Sequence, residues 1–351
     1  KYGKASLGNF SPNDSLNFQI LGYKNLQIKL FDLIDMNMKS LKMIPENQIL
    51  KEVFLSVARS KTSANKIAEK VSIVSAKEIE KRSGLSGAEI LEISPSIRIQ
   101  KSQGGGGSPV LRGFEANRVL LVVDGVRMNN AIYRSGHLQN AITVDPHNIE
   151  RVEIVFGSSS VGYGSDALGG VIHYYTKSPE INSRNMFSHE FSSSFNTANS
   201  SSVNNLTTSL SFKKWGSITS FSYSNFGDIL SGENRSHNYS EWGLTNFYSE
   251  NSRNNYSPAP VYNSNPNLQK NTGYNQYDLF QKFSIRLPKN MLLNLNLQYS
   301  SSSDVPRYDK LSEIKNGALK FSEWYYGPQE RIFISPQLKF FLGKSWLKKG
   351  T

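Results

Sequence analysis

The sequence predicts a composite fold: a small β-sandwich remnant, then a mixed α+β domain, then the first strands of a transmembrane antiparallel β-barrel. Three observations carry this. Residues 95–177 hold short apolar runs separated by many glycine-rich turns, the pattern of a compact mixed sheet. After Pro179 the composition shifts to Ser, Asn, Tyr and Phe, and about six stretches alternate apolar with polar residues. No apolar run reaches the roughly 20 residues that a membrane helix needs, so any crossing would be made by strands.

The 351 residues carry a formal charge of +12, from 40 Lys and Arg against 28 Asp and Glu. No basic run is interleaved with a recognition helix, so no nucleic-acid partner is expected, and the charge suits anionic lipid or solvent. The absence of cysteine excludes disulfides and thiolate zinc sites. Asp, Glu and His occur without a catalytic grouping, so no enzyme is expected. The sequence starts at Lys1 without an initiator Met or signal peptide and stops at Thr351 in mid-pattern. It is expected to be a piece of a longer protein.

Residues 1–58 alternate short apolar segments (Leu16–Leu21, Leu26–Ile34, Val53–Leu55) with Asn, Gly and Pro turns, which argues for small antiparallel strands. Lys1-Tyr2-Gly3 and the later FQILGYKNLQIKL run resemble the second half of a carboxypeptidase-regulatory-like sandwich. Residues 52–59, EVFLSVAR, are extended and apolar. They either pair with a partner's sheet edge or close the sandwich as its last strand. A polar linker over 59–70 follows. Ser75, with Glu78 three residues on, forms a capping box for a helix that stops at Ser83-Gly84. Ser86 and Glu89 repeat the spacing for a second helix ending at Ser94 before Pro95.

Strands follow at 96–100, 119–123, 152–155 and 171–176. Val119 to Val123 is apolar throughout, as in a strand buried on both faces, and Asp124-Gly125 marks a tight turn. Gly104 to Gly107 is no phosphate-cradling loop, because neither Gly-Lys-Ser/Thr nor a helix follows it.

The series Leu111-Arg112-Gly113-Phe114, Val123-Asp124-Gly125-Val126, Ile149-Glu150-Arg151-Val152-Glu153 and Tyr163-Gly164-Ser165-Asp166-Ala167-Leu168-Gly169-Gly170-Val171-Ile172 resembles the plug domain of TonB-dependent outer-membrane receptors. The likeness covers residues 71–178. Phe156-Gly157-Ser158 departs from the family's usual Arg-Gly-Pro. The resemblance implies plug–barrel charge contacts at Arg112, Glu150, Arg151 and Glu153, where buried charges must pair. It implies that a TonB-type energising protein of the inner membrane acts on Glu52, Val53, Phe54 and Leu55. Residues 131–145, AIYRSGHLQNAITVD, resemble the apical loop of haem receptors. His137 is thereby a candidate axial ligand to haem iron, with Tyr133 and Arg134 beside it. His147 and His173 are read as structural. No resident cofactor or metal is implied, since haem would be cargo.

From 179 to 351 the alternating stretches are Met186–Asn196, Asn205–Lys214, Gly216–Phe226, Tyr274–Leu287, Met291–Ser300 and Arg331–Leu342. Leu293, Leu295, Leu297 and Tyr299 oppose Asn294, Asn296 and Gln298, an apolar outward and polar inward face. A soluble sandwich would alternate likewise, but these lengths match the roughly 9–11 residues of a tilted membrane strand. Short links alternate with long ones, 227–273 and 301–330, that carry Trp242, Tyr248, Tyr256, Tyr262, Tyr308, Trp324, Tyr325 and Tyr326, suited to gripping cargo. Plugged barrels of this kind have about 22 strands, so the remaining strands are expected outside this sequence. The expectation is an outer-membrane active transporter of haem, a haem protein or an iron chelate, with plug and sandwich on the periplasmic side. A siderophore, cobalamin, peptide or glycan as cargo, and a surface adhesin, are the alternatives.

Overall fold

The computed structural model describes residues 70–340, except 83–85, 102–103, 116–117, 129–138, 158–159, 165, 183, 237, 251–258 and 290. Before them it describes 11, 13–18, 26–29, 31–32, 54–55 and 62–63. The chain divides into two compact units, one of residues 1–56 and 60–67, the other of 57–59 and 68–351.

In the first unit β1 (Ser15–Phe18) pairs antiparallel with β2 (Leu26–Lys29), as the alternation there requires. β3 (Phe54–Leu55) pairs with β4 (Thr62–Ser63). The stretch read as a linker over 59–70 therefore holds a strand of its own, which gives the backbone groups of Phe54 and Leu55 partners. Glu52 and Val53 lie outside the described residues.

The second unit opens with the mixed sheet. β5 (Val71–Ser75) leads into α1 (Ala76–Glu80), and a 3₁₀ turn spans Glu89–Ile93. β6 (Ile97–Gln100) and β7 (Ser108–Leu111) form a separate antiparallel pair. β8 (Val119–Val123), β9 (Val126–Arg127), β10 (Ile149–Phe156) and β11 (Gly170–Thr176) join β5 in a sheet of order β5-β10-β11-β8-β9. β11 runs parallel to β8, and the other pairs are antiparallel. Both expected caps form. The Glu78 carboxylate accepts from the Ser75 backbone N–H at 2.8 Å and from its hydroxyl at 2.7 Å. The Glu89 carboxylate accepts from the Ser86 N–H at 2.8 Å. The second helix is shorter and tighter than its pattern suggested. The strand at Val71–Ser75 was not anticipated, because Ser72 and Ser75 break its apolar pattern.

Burial explains the unbroken apolar run of β8. Val119, Leu121 and Val123 face the larger core with Ile154, Ile172 and Tyr174, while Leu120 and Val122 face a smaller one with Val155, Tyr163 and Val171. A central strand covered on both faces leaves no position for an alternating polar residue.

Six antiparallel strands then run in sequence order: β12 (Met186–Asn196), β13 (Ser201–Ser211), β14 (Trp215–Phe226), β15 (Tyr274–Leu287), β16 (Met291–Ser302) and β17 (Glu330–Phe340). β13 begins four residues earlier than its pattern suggested, because its inward positions Ser201 and Val203 alternate with Ser202 and Asn204 and read as loop. Phe187, Phe191, Leu206, Phe221, Leu279, Ile332 and Ile334 are exposed on one face of the sheet. Asn205, Ser220, Ser222, Gln276, Asp278, Lys282, Asn296 and Ser300 are buried on the other. A membrane barrel wall has this inversion of a soluble sheet, apolar outside and polar inside. The long links are not plain loops. Ile229–Leu230 pairs with Leu268–Gln269, Phe247–Tyr248 with Val261–Tyr262, and Val305–Pro306 with Tyr325–Tyr326.

Candidate functional site

The polar inward face of β15, β16 and β17 lies against the central domain, and this contact is the best-defined site in the chain. Asp124 sits at the β8–β9 turn with φ of 44°, a left-handed backbone. Its carboxylate accepts from the Thr176 N–H at 3.0 Å and from the Thr176 hydroxyl within the domain. Across the interface it accepts from Lys282 Nζ at 3.1 Å and Asn296 Nδ2 at 2.6 Å. The Gln337 amide donates to the Asp124 carbonyl at 3.2 Å. Lys282 also donates to the Thr176 hydroxyl oxygen at 2.8 Å.

A second cluster lies around Asp145, which caps the 3₁₀ turn Pro146–Asn148. It accepts from the His147 N–H at 3.0 Å, from Asn148 Nδ2 at 2.7 Å and, across the interface, from the Ser222 hydroxyl at 2.6 Å. His147 Nδ1 lies 3.1 Å from the same carboxylate. Burial alone would raise the Asp145 pKa. The bond and charge of His147, with the Ser222 hydroxyl, outweigh it and hold the group below its ordinary value. Burial likewise works against the His147 imidazolium, yet Asp145 raises its pKa above the ordinary one. Beside them the Gln276 amide donates to the Ile142 carbonyl at 2.9 Å, and Arg331 Nη2 donates to the Thr143 carbonyl at 2.8 Å.

His173, read from sequence as structural, is buried in β11. Its Nε2 accepts from the Gly125 N–H at 2.9 Å and its ring stacks on Tyr175 at 3.9 Å. Burial first, and then the Arg151 charge, push its pKa down to about 3, so the ring stays neutral. It stiffens the turn that carries Asp124.

Between the glycine-rich stretch and the long links opens a cavity of about 650 Å³, lined by Lys101, Gly104, Trp242, Gln269, Tyr274 and Tyr308 among others. Gly105 lies flat against Tyr274, where an added Cβ would fall 2.4 Å from the phenol oxygen. A glycine at 105 thus lets the backbone approach the wall closely. Trp242, which lines the cavity, is 75% exposed. Among the described residues no group of three or more His, Asp or Glu could hold a metal ion.

For the charges expected at the plug–barrel contact, the described structure shows these contacts. Arg151 pairs with Glu153 at 2.8 Å and Glu150 at 3.7 Å and lies over the Tyr175 ring, all within the central domain. Arg112 lies 4.6 Å over the Phe156 ring, also within it. Contacts between the domain and the six-stranded wall are made by Asp124, to Lys282 and Asn296, and by Asp145, to Ser222. Sequence reasoning gave none of them this contact: Asp124 was read as a turn residue within a plug motif, and Asn296 as a polar inward position of the wall. The usable signal was Asp278 and Lys282, two charges four apart on the inward face of one strand. His137, Tyr133 and Arg134 lie outside the described residues.

The family model described as TonB-dependent Receptor Plug Domain matches residues 63–171. Over 130 residues the chain is 37% identical to the vitamin B12 transporter BtuB of Vibrio vulnificus (strain CMCP6), covering 36% of this chain and 21% of that relative. Over 107 residues it is 39% identical to the hemin receptor of Yersinia enterocolitica, covering 30% of this chain and 15% of that relative. The fold is similar to that of the solved copper transporter OprC, with a TM-score of 0.56 at 12% identity, over 80% of this chain and 36% of that one. The chain spans well under two thirds of the length of each.

Proposed function

We propose that this chain, whose residues 63–171 match the TonB-dependent receptor plug model, is part of an outer-membrane active transporter that imports a scarce nutrient, haem or an iron chelate. The observation that carries this is the seating of a globular sheet against the polar face of a barrel wall whose opposite face is apolar. A barrel so filled passes nothing until the plug rearranges, so transport requires work. An energising protein of the TonB type, acting near Glu52–Leu55, would supply it, with plug and sandwich on the periplasmic side. His137, with Tyr133 and Arg134, is the candidate contact for haem, and a neutral imidazole suits iron. Trp242 and Tyr308, beside the outer cavity, would hold the body of the cargo.

A haem titration of the complete receptor, followed by absorbance, tests this. A Soret shift that weakens in His137→Ala, together with haem uptake that stops when the membrane is de-energised, is the expected result. No shift in either protein removes haem. Cobalamin is the second reading, because one relative of 37% identity is named a vitamin B12 transporter. Uptake of labelled cyanocobalamin distinguishes the two.

A further inference from the structure

We propose that the Asp124 carboxylate is the latch by which the plug is held on the barrel wall, with Lys282 as the positioning residue that keeps it closed. The inference rests on the transporter reading, and concerns how that transporter is gated rather than what it carries.

Three features single out this contact. Asp124 is tied to three consecutive strands at once, through Lys282 of β15, Asn296 of β16 and Gln337 of β17. Ser222 and Gln276 instead each bring one strand to the plug. Next, the carboxylate is set before it meets the wall. The Thr176 N–H and hydroxyl fix its orientation, and the Gly125 N–H bonded to His173 ties the turn to the buried sheet. Displacing this turn therefore moves the plug sheet and not a loose loop. Lastly, the ion pair is nearly dry, with the Lys282 and Asp124 side chains 10% and 12% exposed.

That dryness makes the contact two-valued. With Lys282 in place the carboxylate is neutralised and the plug stays seated. Without it, Asn296 and Thr176 offer only uncharged donors, and a buried carboxylate facing uncharged donors recovers its solvation by leaving the wall. Breaking a buried pair on one side is far more disruptive than losing a surface pair. Cargo can pass along this side of the barrel only when the pair parts.

The test uses thiol labelling of the complete receptor in its membrane. This chain has no cysteine of its own. One reporter is Ile142→Cys, buried among Tyr274 and Val305 of the wall region; the other is Ile154→Cys, buried within the plug core. In Lys282→Met, labelling at 142 is expected to quicken on the order of a hundredfold while labelling at 154 stays slow. Lys282→Arg, which keeps the charge, should stay within a few-fold of the parent. Unchanged labelling at 142 would overturn the latch. Faster labelling at both positions would overturn it too, since Lys282 would then be needed merely for the plug to fold. If Lys282→Met does not assemble, Asn296→Ser, which removes one wall donor, should give the same selective rise at 142, on the order of tenfold; no rise, or a rise at both positions, again refutes the proposal. Loss of energised uptake in the parent receptor would instead sink the transporter reading, which labelling does not touch.

Discussion

Replacing Gly170 and Gly125 separately by alanine should divide backbone strain from steric contact. Both glycines have positive φ, +149° at Gly170 and +88° at Gly125. At Gly125 an added Cβ meets nothing within 4 Å, so only the backbone penalty applies, about 1–2 kcal/mol. At Gly170 the Cβ would fall 2.3 Å from the Val155 carbonyl oxygen and 2.4 Å from Leu111 Cδ2. The Val155 oxygen belongs to β10, which is paired with β11 along its length, so it cannot retreat without opening the ladder. Overpacking of this kind adds about 1–3 kcal/mol, for a total of about 2–5 kcal/mol. Pulse proteolysis of the plug in the complete receptor against urea reads this difference. With a slope of about 2 kcal/mol/M, Gly170→Ala should lower the midpoint by about 1 M more than Gly125→Ala. Equal midpoints would refute the close approach of β10 to Gly170.

Plug retention should also depend on pH through His147. Its pKa is raised in the folded protein, so its contribution is fully present below its ordinary value of 6.5 and lost as pH rises through the folded value. Protease protection of the plug, measured from pH 6 upward, should fall in the parent and be flat in His147→Gln; a parallel fall in both would count against this assignment. On the outer face, Ile334→Arg should cost about 2–4 kcal/mol if β17 crosses near mid-membrane. Folding titrations into lipid vesicles would show it, and an unchanged titration would place Ile334 away from lipid. Trimming the first cap, Ser75→Ala, should cost about 1 kcal/mol in plug stability by the same proteolysis assay.

Local pattern decided much of this protein. The bounds of β12 and β15, the doubly buried β8, the turn at Asp124-Gly125 and both capping boxes follow from periodicity and neighbouring side chains, which act within a few residues. The order of motifs from Leu111 to Ile172 pointed to the plug family because each marks a turn or strand that the backbone needs. The strand at Val71–Ser75 and the early start of β13 were hidden, since their partners across the sheet, and not their own composition, make them strands. The candidate site was hidden for a stronger reason. Asp124 and Lys282 are 158 residues apart, and nothing near either tells that they meet. Arg112 and Arg151 carried the more conspicuous motif, and in the described structure they meet Phe156, Glu153 and Tyr175 inside the plug. Which charge meets the wall depends on how the plug is seated in the barrel. That seating is a sum of contacts from four strands to two segments of the plug, around Asp124 and around 142–145, and only the tertiary structure fixes it.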